Sequence, residues 1–239
     1  MSDLKIYNGF GITPSKNYVA AGYDFHIPYL KDESKVDMML DALKKSYKLD
    51  DESMEIIVNS INLHLSAIFD KEFSVCDIVN ITHLFLALTP PEEDEDEYDV
   101  IDGAIDDFIS YRLTFDDNGV PGMVVYEADY LLFNSGTKVN LPHDSAGIFF
   151  NKSGKGNQGF DVRACVVDED YSGYVHLSSA FDKVLVDGQT LYCGDKFSQM
   201  VILPIVKTTI TELTEEEYNK AMENSMRGAD GFGSSDVKH

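Results

Sequence analysis

Residues 166–174 read VVDEDYSGY: two valines, three consecutive carboxylates, then tyrosine, serine and glycine. Asp and Gly favour turns, so this stretch can be a solvated turn after a strand. A carboxylate presented at such a turn can also take a proton from water beside a bound substrate. A second candidate, SGKGNQG (153–159), lacks the GK[ST] ending of a P-loop and reads as a Gly-rich turn whose amides could face an anion. The C-terminal stretch RGADGFGSS (227–235) sets Arg227 and a lone Phe232 among small residues. Such a Phe can close over a flat ring while Arg grips phosphate. EEDEDEYDVIDG (92–103) has the acidity of a calcium loop, but position 6 counted from Asp94 is Asp99, not glycine. His64 and His83 have no ligand-spaced partner and read as packing or surface residues.

These residues need elements to hold them. Residues 1–30 have β character. Residues 31–118 carry 23 acidic and 7 basic residues, a net −16 of the chain's −23. Apolar residues there fall at helical spacing: Val36, Met39, Leu40, Leu43 and Tyr47, then Met54, Ile57, Ile61, Leu65 and Ile68. Phe73 to Leu88 is apolar but less periodic, and a further helix is expected at about 99–112. Residues 119–206 return to short β runs separated by turn residues, the pattern of an antiparallel barrel or jelly roll. A short helix is expected at 214–223, with Thr214 and Glu217 spaced as a capping box.

Composition narrows the function. A net charge of −23 argues against sequence-independent nucleic-acid binding and against an anionic membrane surface. Cys76, Cys165 and Cys193 are scattered, so neither a disulfide framework nor a structural zinc site is expected. No apolar run is long enough to span a bilayer and no leader is visible, so a soluble, intracellular (cytoplasmic) protein is expected.

Five segments fall in a telling order: AAGYDF (20–25), NKSG (151–154), GFDVRACVVDEDYSG (159–173), GDKFSQMVILP (194–204) and RGADGFGSS (227–235). Together they resemble the five motifs of the trimeric dUTPase family, the deoxyuridine triphosphate nucleotidohydrolases. The resemblance covers residues 1–30 and 119–239, and residues 31–118 have no counterpart in compact members. It implies a mainly β, dUTPase-like jelly-roll or β-barrel core (1–30 and 119–239) with an inserted acidic α-helical subdomain (31–118) and a mobile C-terminal arm (224–239) over the active site.

The implied activity is hydrolysis of dUTP to dUMP and pyrophosphate, with Mg2+ as cofactor and a homotrimer sharing its sites. Asp168 would be the base that activates water for in-line attack on the α-phosphorus. Tyr171 would pack under the deoxyribose and reject a 2′-hydroxyl. A hairpin over 161–168, including Cys165, Val166 and Val167, would read uracil through its backbone. Lys152, Ser153, Gly154 and Gln199 would hold phosphate oxygens. Arg227 would grip the γ-phosphate, and Phe232, with Gly233 and Ser234, would close over the base. Asp24 would orient water on magnesium. Lys152 stands where the family usually has Arg, Arg163 and Cys165 stand where glycine is common, and the tail ends in SSDVKH. Two alternatives differ in function: a dUTP-sensing regulator that presents the insertion to a protein partner, and a dCTP-deaminase-like relative.

Overall fold

A computed structural model describes residues 3–17, 19–88 and 98–225. They form two compact units, residues 1–205 and 206–239. In the first unit two strands, β1 (Lys5–Asn8) and β2 (Tyr23–His26), precede four helices: α1 (Val36–Tyr47), α2 (Asp51–Phe69), α3 (Val75–Leu88) and α4 (Tyr98–Tyr111). Ten strands follow among the described residues, in two runs around a short helix. The first run is β3 (Leu113–Phe115), β4 (Pro121–Val125), β5 (Tyr130–Asn134), β6 (Thr137–Asn140) and β7 (Ser145–Asn151). Helix α5 (Ser153–Gln158) leads to β8 (Phe160–Arg163) and β9 (Val166–Val167). The unit ends with β10 (His176–Phe181), β11 (Gln189–Tyr192) and β12 (Lys196–Pro204).

Every strand pair is antiparallel. The strands form sheets in the orders β1-β6, β5-β10-β8, β11-β4-β3 and β2-β12-β7-β9. The result is a jelly-roll β core carrying an inserted helical segment, as the alternation of β runs and helical stripes predicts.

Helix α3 explains the loss of periodicity between Phe73 and Leu88. Nearly every residue from Cys76 to Ala87 is buried, because α3 packs on α1 and α2 and also on β4 and β5. A helix covered on all sides needs no polar face. The stripes on α1 and α2 bury Met39, Leu43, Tyr47, Met54, Ile57, Ile61 and Leu65, whereas Ile68 is exposed.

The insertion belongs to the same compact unit as the strands. Its apolar residues and those of the strands form one continuous core, from Leu43 and Ile81 to Phe133 and Phe197. Polar groups lock the junction too. Asn80 on α3 accepts from the Leu30 N–H at 2.8 Å and donates to the Leu30 carbonyl at 2.9 Å. Such pairing satisfies buried backbone groups that water cannot reach. No helix among the described residues is long and apolar enough to cross a membrane.

The second unit holds α6 (Glu215–Ala221). Its capping box is present: the Thr214 hydroxyl accepts from the Glu217 N–H, and the Glu217 carboxylate accepts from the Thr214 N–H at 2.8 Å. The acidic run at 92–97 and the terminal stretch with Arg227, Phe232, Gly233 and Ser234 lie outside the described residues.

Candidate active site

The segment expected to be a Gly-rich turn is a helix. Lys152 is its N-cap, and Gly159 closes it at φ 108°, a left-handed conformation that suits glycine. Helix α5 leaves Ser153 and Gly154 exposed at its first turn, with open space where a Gly154 Cβ would sit. Lys155 anchors the helix through Asp195 at 3.0 Å.

Strand pairing brings a charged group to the start of α5. Asp24 on β2 lies opposite Gln199 on β12, and Gln199 lies opposite Phe150 on β7. One Asp24 oxygen is 2.6 Å from the Lys152 Nζ and the other 3.0 Å from the Lys196 Nζ. Burial raises the Asp24 pKa, but the hydrogen bonds and charges of the two lysines outweigh it and hold the carboxyl below its ordinary value. Gln199 donates to the Asn151 carbonyl at 3.2 Å, which ties β12 to the residue before Lys152. His26 lies opposite Lys196, and its buried Nδ1 has no hydrogen-bond partner among the described residues. Burial first, then Lys196, lowers the His26 pKa, so the ring stays neutral beside the lysines.

Asp24, expected to orient water on magnesium, holds a lysine ammonium group on each of its carboxylate oxygens. No group of three metal-ligating side chains converges there among the described residues; one does at His143, Asp144 and Glu169. Asp24 is therefore the post that holds two lysines. Lys196 escaped the sequence reading. Its signal was GDK directly before FSQ, a cation two places beyond a turn glycine and three before Gln199.

The stretch 161–168 is not a paired hairpin. β8 pairs with β10, β9 pairs with β7, and the two strands do not pair with each other. Ala164 turns the corner between them at φ 43°. The Cys165 carbonyl accepts from the Phe149 N–H at 2.7 Å, and the Val162 N–H donates to the Asn151 side chain at 2.8 Å. Arg163 points to Asp161 and Asp182, both at 3.4 Å. The edges of β8 and β9 that would face each other are thus not hydrogen-bonded to one another.

Asp168 follows β9 directly and is exposed. Its carbonyl accepts from the Tyr171 N–H at 3.2 Å, which closes the turn. The three carboxylates have different duties. Glu169 accepts from the Asp144 N–H at 3.0 Å and so tethers the turn, whereas Asp168 and Asp170 stand exposed. The Tyr171 ring lies across Gly173: a Cβ there would come within 2.5 Å of its hydroxyl.

Within one chain the carboxylate and the lysines do not meet. Val167 lies opposite Gly147 near one end of β7, and Lys152 follows Asn151 at the other end. Four residue steps at strand rise separate these ends by ~13 Å, and Asp168 continues away from Lys152.

The dUTPase family model matches residues 123–236. Among curated proteins, the Gag-Pro polyprotein of Mason-Pfizer monkey virus is 26% identical over 97 residues, which is 41% of this chain; the match spans only 9% of that polyprotein. Among solved structures, a mutant of the Staphylococcus bacteriophage 80alpha dUTPase with dUpNHpp aligns at TM-score 0.53 and 12% identity, covering 98% of this chain and 99% of that one. The same phage's dUTPase with dUpNHpp aligns at TM-score 0.51 and 13% identity, covering 98% of each chain. At such identities the likeness establishes the fold.

Proposed function

We propose that this chain, whose residues 123–236 carry a domain of the dUTPase family, is a dUTP diphosphatase that hydrolyses dUTP to dUMP and pyrophosphate. The observation that carries the reading is the pairing of that family match with the lysine pair on Asp24 at the start of α5. A nucleoside triphosphate bears about four negative charges, and a chain of net charge −23 needs cations concentrated in one place to hold it. Lys152 and Lys196 are such cations, already fixed in direction by Asp24. The exposed first-turn amides of α5 at Ser153 and Gly154, and the Gln199 amide beside them, add hydrogen-bond donors.

The base enters between β8 and β9, where backbone groups of Cys165, Val166 and Val167 read uracil. Tyr171 lies beneath the deoxyribose. Asp168 takes the proton from the water that attacks the α-phosphorus, and the proton leaves on that carboxylate. Mg2+ is the cofactor and would offset the charge of the triphosphate when bound, with Asp24 placed to accept from its water. The protein's own part is to hold the phosphates with lysines and amides. Arg227, Phe232, Gly233 and Ser234 complete the site from the C-terminal arm, Arg227 on the γ-phosphate and Phe232 on the base.

The separation along β7 supports a homotrimer with shared sites: Asp168 of one copy works on phosphates held by Lys152 and Lys196 of another. Phe150 and Val166, on the same sheet, are 46% and 59% exposed in a single chain and give an assembled form apolar surface to bury.

A second reading rests on the insertion. Its exposed faces carry Asp37, Asp41, Glu52, Glu55, Asp106 and Asp107, which would complement a basic protein partner and make the chain a dUTP-responsive regulator as well. The deciding experiment is a panel of dUTP, dCTP, dTTP and UTP with Mg2+, scored for pyrophosphate and ammonia. Pyrophosphate from dUTP alone is expected. Ammonia from dCTP would identify a deaminase, and no turnover with retained dUTP binding would leave only the regulator.

A further inference from the structure

The inserted helices reach the candidate sugar site through hydrogen bonds and a short stretch of main chain. On α1, the Ser46 hydroxyl donates to the Ala42 carbonyl at 2.9 Å and accepts from the Asn134 side-chain amide at 2.9 Å. The His176 Nε2 lies 2.9 Å from the same hydroxyl. Asn134 and His176 are direct partners across β5 and β10, so Ser46 grips both strands at one rung. His83 on α3 holds the rung from the other side, its Nε2 accepting the Asn134 N–H at 3.2 Å. His176 follows Tyr174 by two residues on a stretch fixed by the Val175 N–H, which donates to the Thr137 carbonyl at 2.9 Å. The Tyr174 carbonyl in turn accepts from the Tyr171 hydroxyl at 2.8 Å. Among the described residues Tyr171 is otherwise held by its own turn and by its place over Gly173. A half-exposed ring on a short loop has several rotamers, and this hydroxyl anchor selects one of them.

We infer that the inserted helices position Tyr171 through the path Ser46–His176–Tyr174–Tyr171, so that discrimination between 2′-deoxy and ribo nucleotides depends on a serine outside all five motif segments. Ser46 and His176 are positioning residues; neither touches the substrate. The inference rests on the reading of Tyr171 as the residue under the sugar. It also gives the insertion a task in specificity: whatever displaces α1 loosens the sugar pocket.

The test compares kcat/KM for dUTP and for UTP, with Mg2+, in the full-length protein and in Ser46→Ala, Gly173→Ala and Tyr171→Phe. Loss of folded protein lowers both values together and leaves their ratio unchanged, so the ratio isolates positioning. Each variant is expected to lower the dUTP/UTP ratio about tenfold, the scale of coupling within one hydrogen-bond network. Ser46→Ala combined with Tyr171→Phe should do no more than the larger single change. Ser46→Thr, which keeps the hydroxyl, should retain the wild-type ratio. If Ser46→Ala does not fold, His176→Phe breaks the same path from the strand side and carries the same expectation. An unchanged ratio in Ser46→Ala, or in that substitute, while Gly173→Ala lowers it, overturns the path but leaves the sugar reading intact. An unchanged ratio in Tyr171→Ala overturns the sugar reading and the path with it.

Discussion

At the scale of single residues, the stretch VVDEDY ties down one carboxylate and leaves two exposed, of which Asp168 directly follows β9. Glu169 is spent on the Asp144 N–H, while Asp168 stands exposed at the end of β9. Asp168→Asn keeps the size and the turn but cannot accept a proton, so kcat should fall by about 10²–10⁴-fold while dUTP still binds. Single-turnover kinetics with a separate binding titration would show this, and near-normal turnover would remove Asp168 from its role. Lys196→Gln should mainly raise KM, because the lysine neutralises phosphate in the ground state and the transition state alike. Its side chain is half exposed, so folding should survive; a fall in kcat with unchanged KM would contradict a binding role. Phe232→Ala should weaken turnover of dUTP without changing the melting temperature, since stacking on a base matters only in the complex. Full activity in that variant would show that the arm does not close over the base. The turn after Val167 could be read in sequence because turn chemistry is local. Lys196 could not, because only strand pairing reveals that it shares Asp24 with Lys152.

At the scale of elements, the insertion behaves as part of the core. Cutting out residues 33–117 would uncover the β4 and β5 surface on which α3 packs and leave the Leu30 backbone groups without Asn80. Its charge and periodicity suggest a segment dispensable for chemistry, but the packing predicts that this deletion does not fold. A soluble, assembled and active deletion variant would refute that. Burial also makes α3 sensitive to acid. It lowers the His83 pKa to about 3, with a smaller contribution from His176. A base whose folded pKa lies below its unfolded value of 6.5 leaves more protons on the unfolded chain between those two points. Stability should therefore be complete above pH 6.5 and decline as pH falls towards 3, with His83 contributing about 1.4 kcal/mol per pH unit within that window. Denaturant unfolding from pH 7 to pH 5 should show a shallower decline in His83→Leu. An equal decline in both proteins would place the acid sensitivity elsewhere.

At the scale of the whole molecule, β7 separates the lysine cluster from Asp168 within one chain, and the proposed site is one that a second copy completes. Two inactive variants, Asp168→Asn and Lys152→Gln, should restore activity when mixed and reassembled, to about a quarter of the wild-type value per site if subunits combine at random. No recovery in demonstrably mixed assemblies would place the whole site within one chain. The sequence by itself determined the two textures of the chain, because strand and helix periods depend only on near neighbours. It also determined the capping box at Thr214 and Glu217, and it set five short segments in the order that resembles the dUTPase motifs. It did not reveal that SGKGNQG is a helix, since glycine disfavours helices and here the anchors are Asp195 and a left-handed Gly159. Nor did it reveal the splayed strands at Ala164, the two lysines on Asp24, or the reach of Ser46 to His176 across 130 residues of sequence. Those relations join residues far apart in the chain, and only the register of antiparallel strands and the docking of α1 and α3 bring them within hydrogen-bond distance.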